Sequence, residues 1–369
     1  MIKKSYSVIV LLSLVAPAAV FAAEEAADVH GVIEMGIRGV DSNANSAKFQ
    51  EFRDMDDGVF GQVLLDAYKG DYHFQFDAIN PGANDQSFLF KGGEYGSFKY
   101  KFNYNELRHN YTFGAITPAT GIGTQHISFQ DTTSAATPPL SQWTPFDYKV
   151  NHKSYGGELE FSLHSPYYLT IGAEKREQDG LRPFYVKQLA EVPEPISSTT
   201  NNLYLKGGYK GESLSASLSG FLSAFNNDHK YMFWDDPDPS ANPATDLVVL
   251  PPDNDYGKVA ADLSWRNLPL SSVLALTGSY AHLTNDFTAN DIQLSSAVWS
   301  GTTGFTSLNR TNFDGDIKYT SAGISLASRP LTNLDSKIYY RYLKRNDDSS
   351  VITYGTGGAT SNADRLLSY

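Results

Sequence analysis

Four stretches of the chain alternate apolar and polar residues with a period of two. That period places successive side chains on opposite faces of a strand and predicts β structure. In the clearest stretch Phe98, Tyr100, Phe102 and Tyr104 alternate with Lys99, Lys101, Asn103 and Asn105. Over residues 72–78, Tyr72, Phe74 and Phe76 alternate with His73, Gln75 and Asp77. Residues 259–265 end on Trp265 and carry Ala260, Asp262 and Ser264 on the second face, and residues 338–344 carry Tyr339, Arg341 and Leu343 there. A soluble sandwich turns its apolar face inward, whereas a membrane barrel turns it toward lipid and its charges toward a wet lumen. Alternation by itself does not choose between them.

The full set of expected strands covers residues 32–40, 59–68, 72–79, 87–91, 97–105, 154–164, 167–176, 201–210, 213–225, 256–266, 272–283, 312–326 and 335–345. Most approach the 9 to 11 residues a tilted strand needs to cross a bilayer, longer than the usual globular strand. No long stretch shows a 3.6-residue period. The connections are more telling. Tight turns fall at residues 69–71, 165–166, 211–212 and 267–270, and long polar segments at 106–153, 177–200, 226–255 and 284–311. From Ser154 onward they alternate, the rhythm of a barrel with short periplasmic turns and long outer loops. The prolines Pro138, Pro139, Pro193, Pro195, Pro237, Pro239, Pro251 and Pro252 are expected in those loops, where no ladder hydrogen bond is lost.

The N-terminus sets the compartment. Lys3 and Lys4 precede an apolar run over residues 8–20, and Val20-Phe21-Ala22 offers the small residues at spacing two that a signal peptidase accepts. Residues 1–22 are therefore expected to be a cleaved signal peptide, and residues 23–369 an exported barrel. Cysteine is absent from the 369 residues, which excludes covalent c-type haem attachment to this chain. The 29 basic against 41 acidic residues give a net charge of −12, which argues against nucleic acid as a partner. Acidic groups such as Asp235, Asp236, Asp238, Asp253 and Asp255 fall in expected loops without a calcium-loop spacing. Thirteen strands is an odd number, whereas single-chain bacterial barrels have even numbers. Residues 365–369, following a polar stretch, are also too few for a full closing strand. The expected fold is thus an all-β transmembrane antiparallel outer-membrane barrel of about 13 strands, the N-terminal part of a longer one.

Several turn and loop motifs then become recognisable. Phe52-Arg53-Asp54 with Asp57-Gly58, Asn80-Pro81-Gly82 with Asp85-Gln86, and Gly92-Gly93-Glu94-Tyr95-Gly96 follow one another in order. Tyr104-Asn105-Glu106 with His109-Asn110-Tyr111, Glu177-x-x-Gly180, and Pro193-Glu194-Pro195-Ile196 continue the series. Their order and spacing resemble the decahaem-associated outer-membrane proteins of the MtrB/PioB family, from about Val29 to Tyr369. The resemblance implies a barrel that sheathes a periplasmic multihaem c-type cytochrome in its lumen, often with an outer-surface multihaem cytochrome docked above. Electrons would then cross the outer membrane between the cell and extracellular metals. Haem would be carried by the partner and no cofactor by this chain. Some members carry an N-terminal Cys-x-x-Cys pair, which this chain lacks.

The eight histidines show no metal-protease spacing, and no nucleophile or oxyanion motif accompanies them. His73, Gln75, Asp77, Lys99, Lys101, Asn103, Asn105, Glu174 and Arg176 are the candidate lumen residues, as cytochrome contacts or as solvated pore lining. Tyr72, Phe74, Phe76, Phe98, Tyr100, Phe102, Tyr104 and Trp265 are the candidate lipid-facing residues. The opposite register would place charges in hydrocarbon at roughly 2–4 kcal/mol for each midplane Lys or Arg. A cytochrome sheath, a diffusion porin or substrate channel, and an outer-membrane enzyme are the functions weighed; the enzyme is disfavoured for lack of a catalytic constellation.

Overall fold

A computed structural model of the chain describes residues 12–14, 27–39, 46–129, 139–186, 190–235, 245–288, 305–308, 312–351 and 354–356. The expected signal peptide lies outside them except for Leu12–Leu14, and so do residues 365–369. A three-residue strand, β1 (Leu12–Leu14), pairs with β2 (Asp28–Arg38). Next come β3 (Gly58–Lys69), β4 (Tyr72–Ile79), β5 (Ser87–Glu94) and β6 (Phe98–Thr117). Two short strands, β7 (Ala119–Thr120) and β8 (His126–Phe129), lie between β6 and β9 (Thr144–Phe161). The long hairpin β10 (Tyr167–Val186) and β11 (Ala190–Lys210) precedes β12 (Leu214–Asn227). Two more short strands, β13 (Tyr231–Asp235) and β14 (Thr245–Val249), lead to β15 (Asn254–Leu268) and β16 (Ser272–Thr288). After β17 (Phe305–Leu308) come β18 (Asn312–Leu331), β19 (Leu334–Asp347) and β20 (Tyr354–Thr356).

The large antiparallel sheet runs in chain order, β1-β2-β3-β4-β5-β6-β9-β10-β11-β12-β15-β16-β18-β19. Without β1 it comprises the thirteen strands expected from the sequence. Among the described strands β19 pairs only with β18, so the sheet is curled but not closed. The tight connections β3–β4, β5–β6, β9–β10, β11–β12, β15–β16 and β18–β19 share one rim, as the alternation of an antiparallel meander requires. Leu163 and His164 adopt left-handed backbone there (φ 48° and 54°), matching the twist of a hairpin.

The strands are longer than the periodicity predicts. β6, β10 and β18 reach 20 residues and β11 reaches 21. The segments 106–153 and 177–200, expected as loops, are largely strand: the β10–β11 ladder runs unbroken from Tyr167↔Tyr209 to Val186↔Ala190. Alternation fades above the bilayer because neither face meets hydrocarbon, while the backbone ladder continues. Pro193 and Pro195 accordingly sit in a strand, but beyond the last β11–β12 pair, Ser198↔Asn227, where β12 no longer pairs with β11. Gly180 has φ 141° and lies against the Lys149 carbonyl of β9, where a Cβ would collide. There β9 and β10 part, Gly180↔Val150 being their last pair.

Candidate functional site: the two faces of the sheet and its outer rim

Directly paired residues of an antiparallel ladder share a face, so the registers trace each face across the sheet. One row reads Phe76↔Phe90, Phe90↔Phe102, then Phe102↔Gly157, Gly157↔Ala173 and Ala173↔Leu203. It continues through Leu222, Gly257 and His282. All eight candidate lipid-facing residues lie on this face. Leu218, Leu222, Val259, Ile324 and Tyr340 on it are 46–64% exposed. On the loop side the apolar band of each strand gives way to charged residues, at Glu106 and Lys153, Lys175 and Glu177, Asp255, and His282 with Lys318. The girdle tyrosines reach that line: Tyr104 Oη donates to Glu106 (2.9 Å) and Tyr155 Oη to Glu177 (3.2 Å). An aromatic side chain with its ring beside the apolar band and its hydroxyl at the charged rim is the arrangement of a membrane interface.

The nine candidate lumen residues share the other face, within four adjacent rows. Gln75↔Lys91, Lys91↔Lys101 and Lys101↔Glu158 form one row. His73, Lys99 and Glu160 belong to the next, and the Lys99 Nζ to Glu160 ion pair spans 2.9 Å. Asp77, Asn103 and Glu174 share a third row, in which Asn202 donates to Glu174 at 3.1 Å. Asn105 and Arg176 share the fourth, and Arg176 pairs with Glu174 at 2.9 Å. Gln75 donates to Asp77 (2.7 Å), and the His73 ring stacks on Tyr95 at 4.6 Å. His73 is therefore held by an aromatic neighbour. This polar face is the concave one: a cavity of about 1070 Å³ is lined by Lys99 of β6 and Thr277 of β16 together. Those strands, six steps apart in the sheet, would stand about 29 Å from each other if the sheet were flat.

The motif residues of the first third converge above the band. The β4–β5 hairpin is short, and the β2–β3 connection reaches over it to β6. The Asn110 N–H donates to the Glu51 carbonyl (2.9 Å) and the Asn110 amide to the Gln50 carbonyl (2.7 Å). Phe52 stacks on His109 at 4.4 Å. Asp54 accepts from the Asn84 backbone and side chain at 2.8 and 2.7 Å, while Arg108 donates to Asn84 at 2.6 Å. Burial works to raise the Asp54 pKa, but the N–H groups of Asn84 and Asp56, the Asn84 amide and the Arg108 charge outweigh it and hold the carboxyl below its ordinary range. His152 is shifted down, first by burial and then by neighbouring His109, against a weaker pull from Asp179.

A second cluster, missed in the sequence, caps the same rim. β14, β13, β8 and β7 form a separate four-stranded sheet, with β8 and β13 parallel. Ala119, Ile127, Val192, Met232, Trp234 and Leu250 bury one another there, drawing on two connections of the large sheet, β6–β9 and β12–β15, and on the outer end of β11. Glu194, only 2% exposed, accepts a bidentate pair from Arg182 at 2.6 and 2.8 Å. The Pro-Glu-Pro motif is thus the buried brace of the cap. Its only sequence signal was an acidic residue between two prolines.

An outward apolar band edged by tyrosines and charges, a concave polar face and one rim of tight turns define an outer-membrane β-barrel wall. The family model described as "Putative outer membrane beta-barrel porin, MtrB/PioB" matches residues 41–366, and the chain belongs to the MtrB/PioB family. No curated protein matches the chain. Among solved structures, the loop L8 deletion mutant of OmpT, an outer membrane protein of Vibrio cholerae, is similar at 9% identity and a TM-score of 0.30, over 88% of this chain and 96% of that one. OmpT of Vibrio cholerae folded in vitro is also 9% identical, with a TM-score of 0.28 over 89% of this chain and 100% of the other.

Proposed function

We propose that this chain is a non-catalytic barrel wall whose concave face holds a periplasmic multihaem c-type cytochrome, forming an electron conduit across the outer membrane. The observation that carries the reading is the continuous polar face, with the nine candidate residues gathered in four adjacent rows of one concave surface. Fixed dipoles and charges on a curved wall suit a hydrated protein surface, while the opposite face suits lipid. The resemblance to the decahaem-associated members of the family supports a cytochrome as the occupant. In this reading the chain contributes insulation and orientation and the partner contributes all the haem; an outer-surface multihaem cytochrome would dock above the same rim.

The family description, which calls these proteins porins, favours a second reading in which the same wall encloses an open diffusion channel. Solubilising outer membranes in mild detergent and purifying this protein separates the two. Haem absorbance that copurifies in fixed stoichiometry is expected. A colourless protein that conducts ions freely in planar bilayers would replace the sheath with the channel.

A further inference from the structure

The turn-side end of the concave face contains a built pocket that its barrel role does not explain. On its wall the Tyr204 ring lies across Gly172 and the Tyr168 ring across Gly208, each so close that a Cβ on the glycine would collide. The four are direct register partners, Gly172↔Tyr204 and Tyr168↔Gly208, so each aromatic is laid flat against the strand beside it. The cavity beneath them stays open, at about 1070 Å³. Lys206, Lys210 and Arg266 line it, and among the described residues their side chains make no ion pair or hydrogen bond. Lys99, also in the lining, is already neutralised by Glu160. Two carboxylates in the pocket, Glu158 and Asp262, likewise lack an ion pair there, so free cations outnumber free anions in a chain whose net charge is −12.

We propose that this cavity is the seat of an acidic segment of the polypeptide that occupies the lumen, an inference that rests on the lumen-occupant reading above. Charge complementarity selects the anion. Spacing selects a polypeptide over a single small anion: Lys206 and Lys210 lie four residues apart on one strand, about 13 Å, beyond the reach of one carboxylate. The Arg266 guanidinium presents a planar fork that fits a carboxylate bidentately. The flat tyrosine faces supply apolar contact for the backbone and methylenes between the acids.

The test uses the full chain in uncharged detergent micelles and a labelled hexaglutamate peptide, with hexalysine and acetate as parallel probes. Hexaglutamate is expected to bind, and Lys206→Gln/Lys210→Gln/Arg266→Gln to weaken it at least about tenfold at low salt. Asp262→Asn, which removes a repulsive charge from the same wall, is expected to tighten it. Equal binding by the triple variant, or binding of hexalysine as strong as that of hexaglutamate, overturns the site. So does acetate that competes fully at the same concentration as the peptide. Haem retention separates this from the parent reading. Copurified haem with peptide binding indifferent to the three cations would leave the sheath standing and remove the seat; cation-dependent peptide binding by a colourless protein would do the reverse.

Discussion

The cap and the spanning band use the same apolar residues in opposite ways. In the cap Ile127, Val192 and Met232 are wholly buried against one another, whereas in the band Leu218 and Leu222 are about 60% exposed. The cap stands beyond the charged rim with water around it, so its hydrophobic groups find partners only within the protein. The band meets lipid tails, and outward leucines need no protein cover. Stability in the cap therefore comes from a dry core. In the band it comes from the backbone ladder together with the surrounding solvent.

The largest test of that contrast is in the cap. Arg182→Ala leaves the buried Glu194 carboxylate without its counter-charge, which costs roughly 3–5 kcal/mol for a fully buried pair. Arg182 is itself half exposed, so the lower end is expected. Proteolysis should then open the cap while the heat-resistant electrophoretic mobility of the barrel is kept. Loss of both together would show that cap and band are one cooperative unit. The next test is in the band. Leu218→Arg on the outward face should cost roughly 2–4 kcal/mol near the midplane, whereas Ser219→Arg, one residue along on the concave face, should cost almost nothing. Urea unfolding in liposomes measures both. Equal costs would erase the distinction between the faces.

These two regions also differ in how far the sequence revealed them. Thirteen strands and the division of their residues between two faces were legible, because a bilayer imposes a two-residue period on every strand it touches, as in Phe98 to Asn105. Above the rim no such solvent imposes a pattern. Strand continuation through Thr117 and from Thr144 was missed, since polar residues occupy both faces there. The cap was missed for a different reason. Its core joins Ile127, Val192 and Met232, contacts between distant connections that local periodicity does not encode. The convergence of Phe52, Asp54, Asn84 and His109 is of the same kind: their motifs were visible one by one, but not that a strap over a short hairpin brings them together.

That strap gives the smallest and most selective effect, read as pH dependence. His152 and Asp54 both titrate below their ordinary values of 6.5 and 3.8 in the folded protein. The unfolded chain therefore binds more protons in each window, and the fold around the strap strengthens as pH rises through it. The His152 contribution is complete above about pH 6.5 and is lost as pH falls through its depressed folded value. Asp54 repeats the pattern below 3.8. Hydrogen-exchange protection of the Asn110 amide, which is bonded to the Glu51 carbonyl, should accordingly fall in two steps on acidification. His152→Gln should abolish the upper step and keep the lower. Asp54→Asn should weaken the strap already at neutral pH, because the charge-assisted bonds from Asn84 are gone, while the cap and the band stay intact. A flat protection profile from pH 7.5 to 5 in the unmodified protein would remove His152 from the strap's energetics.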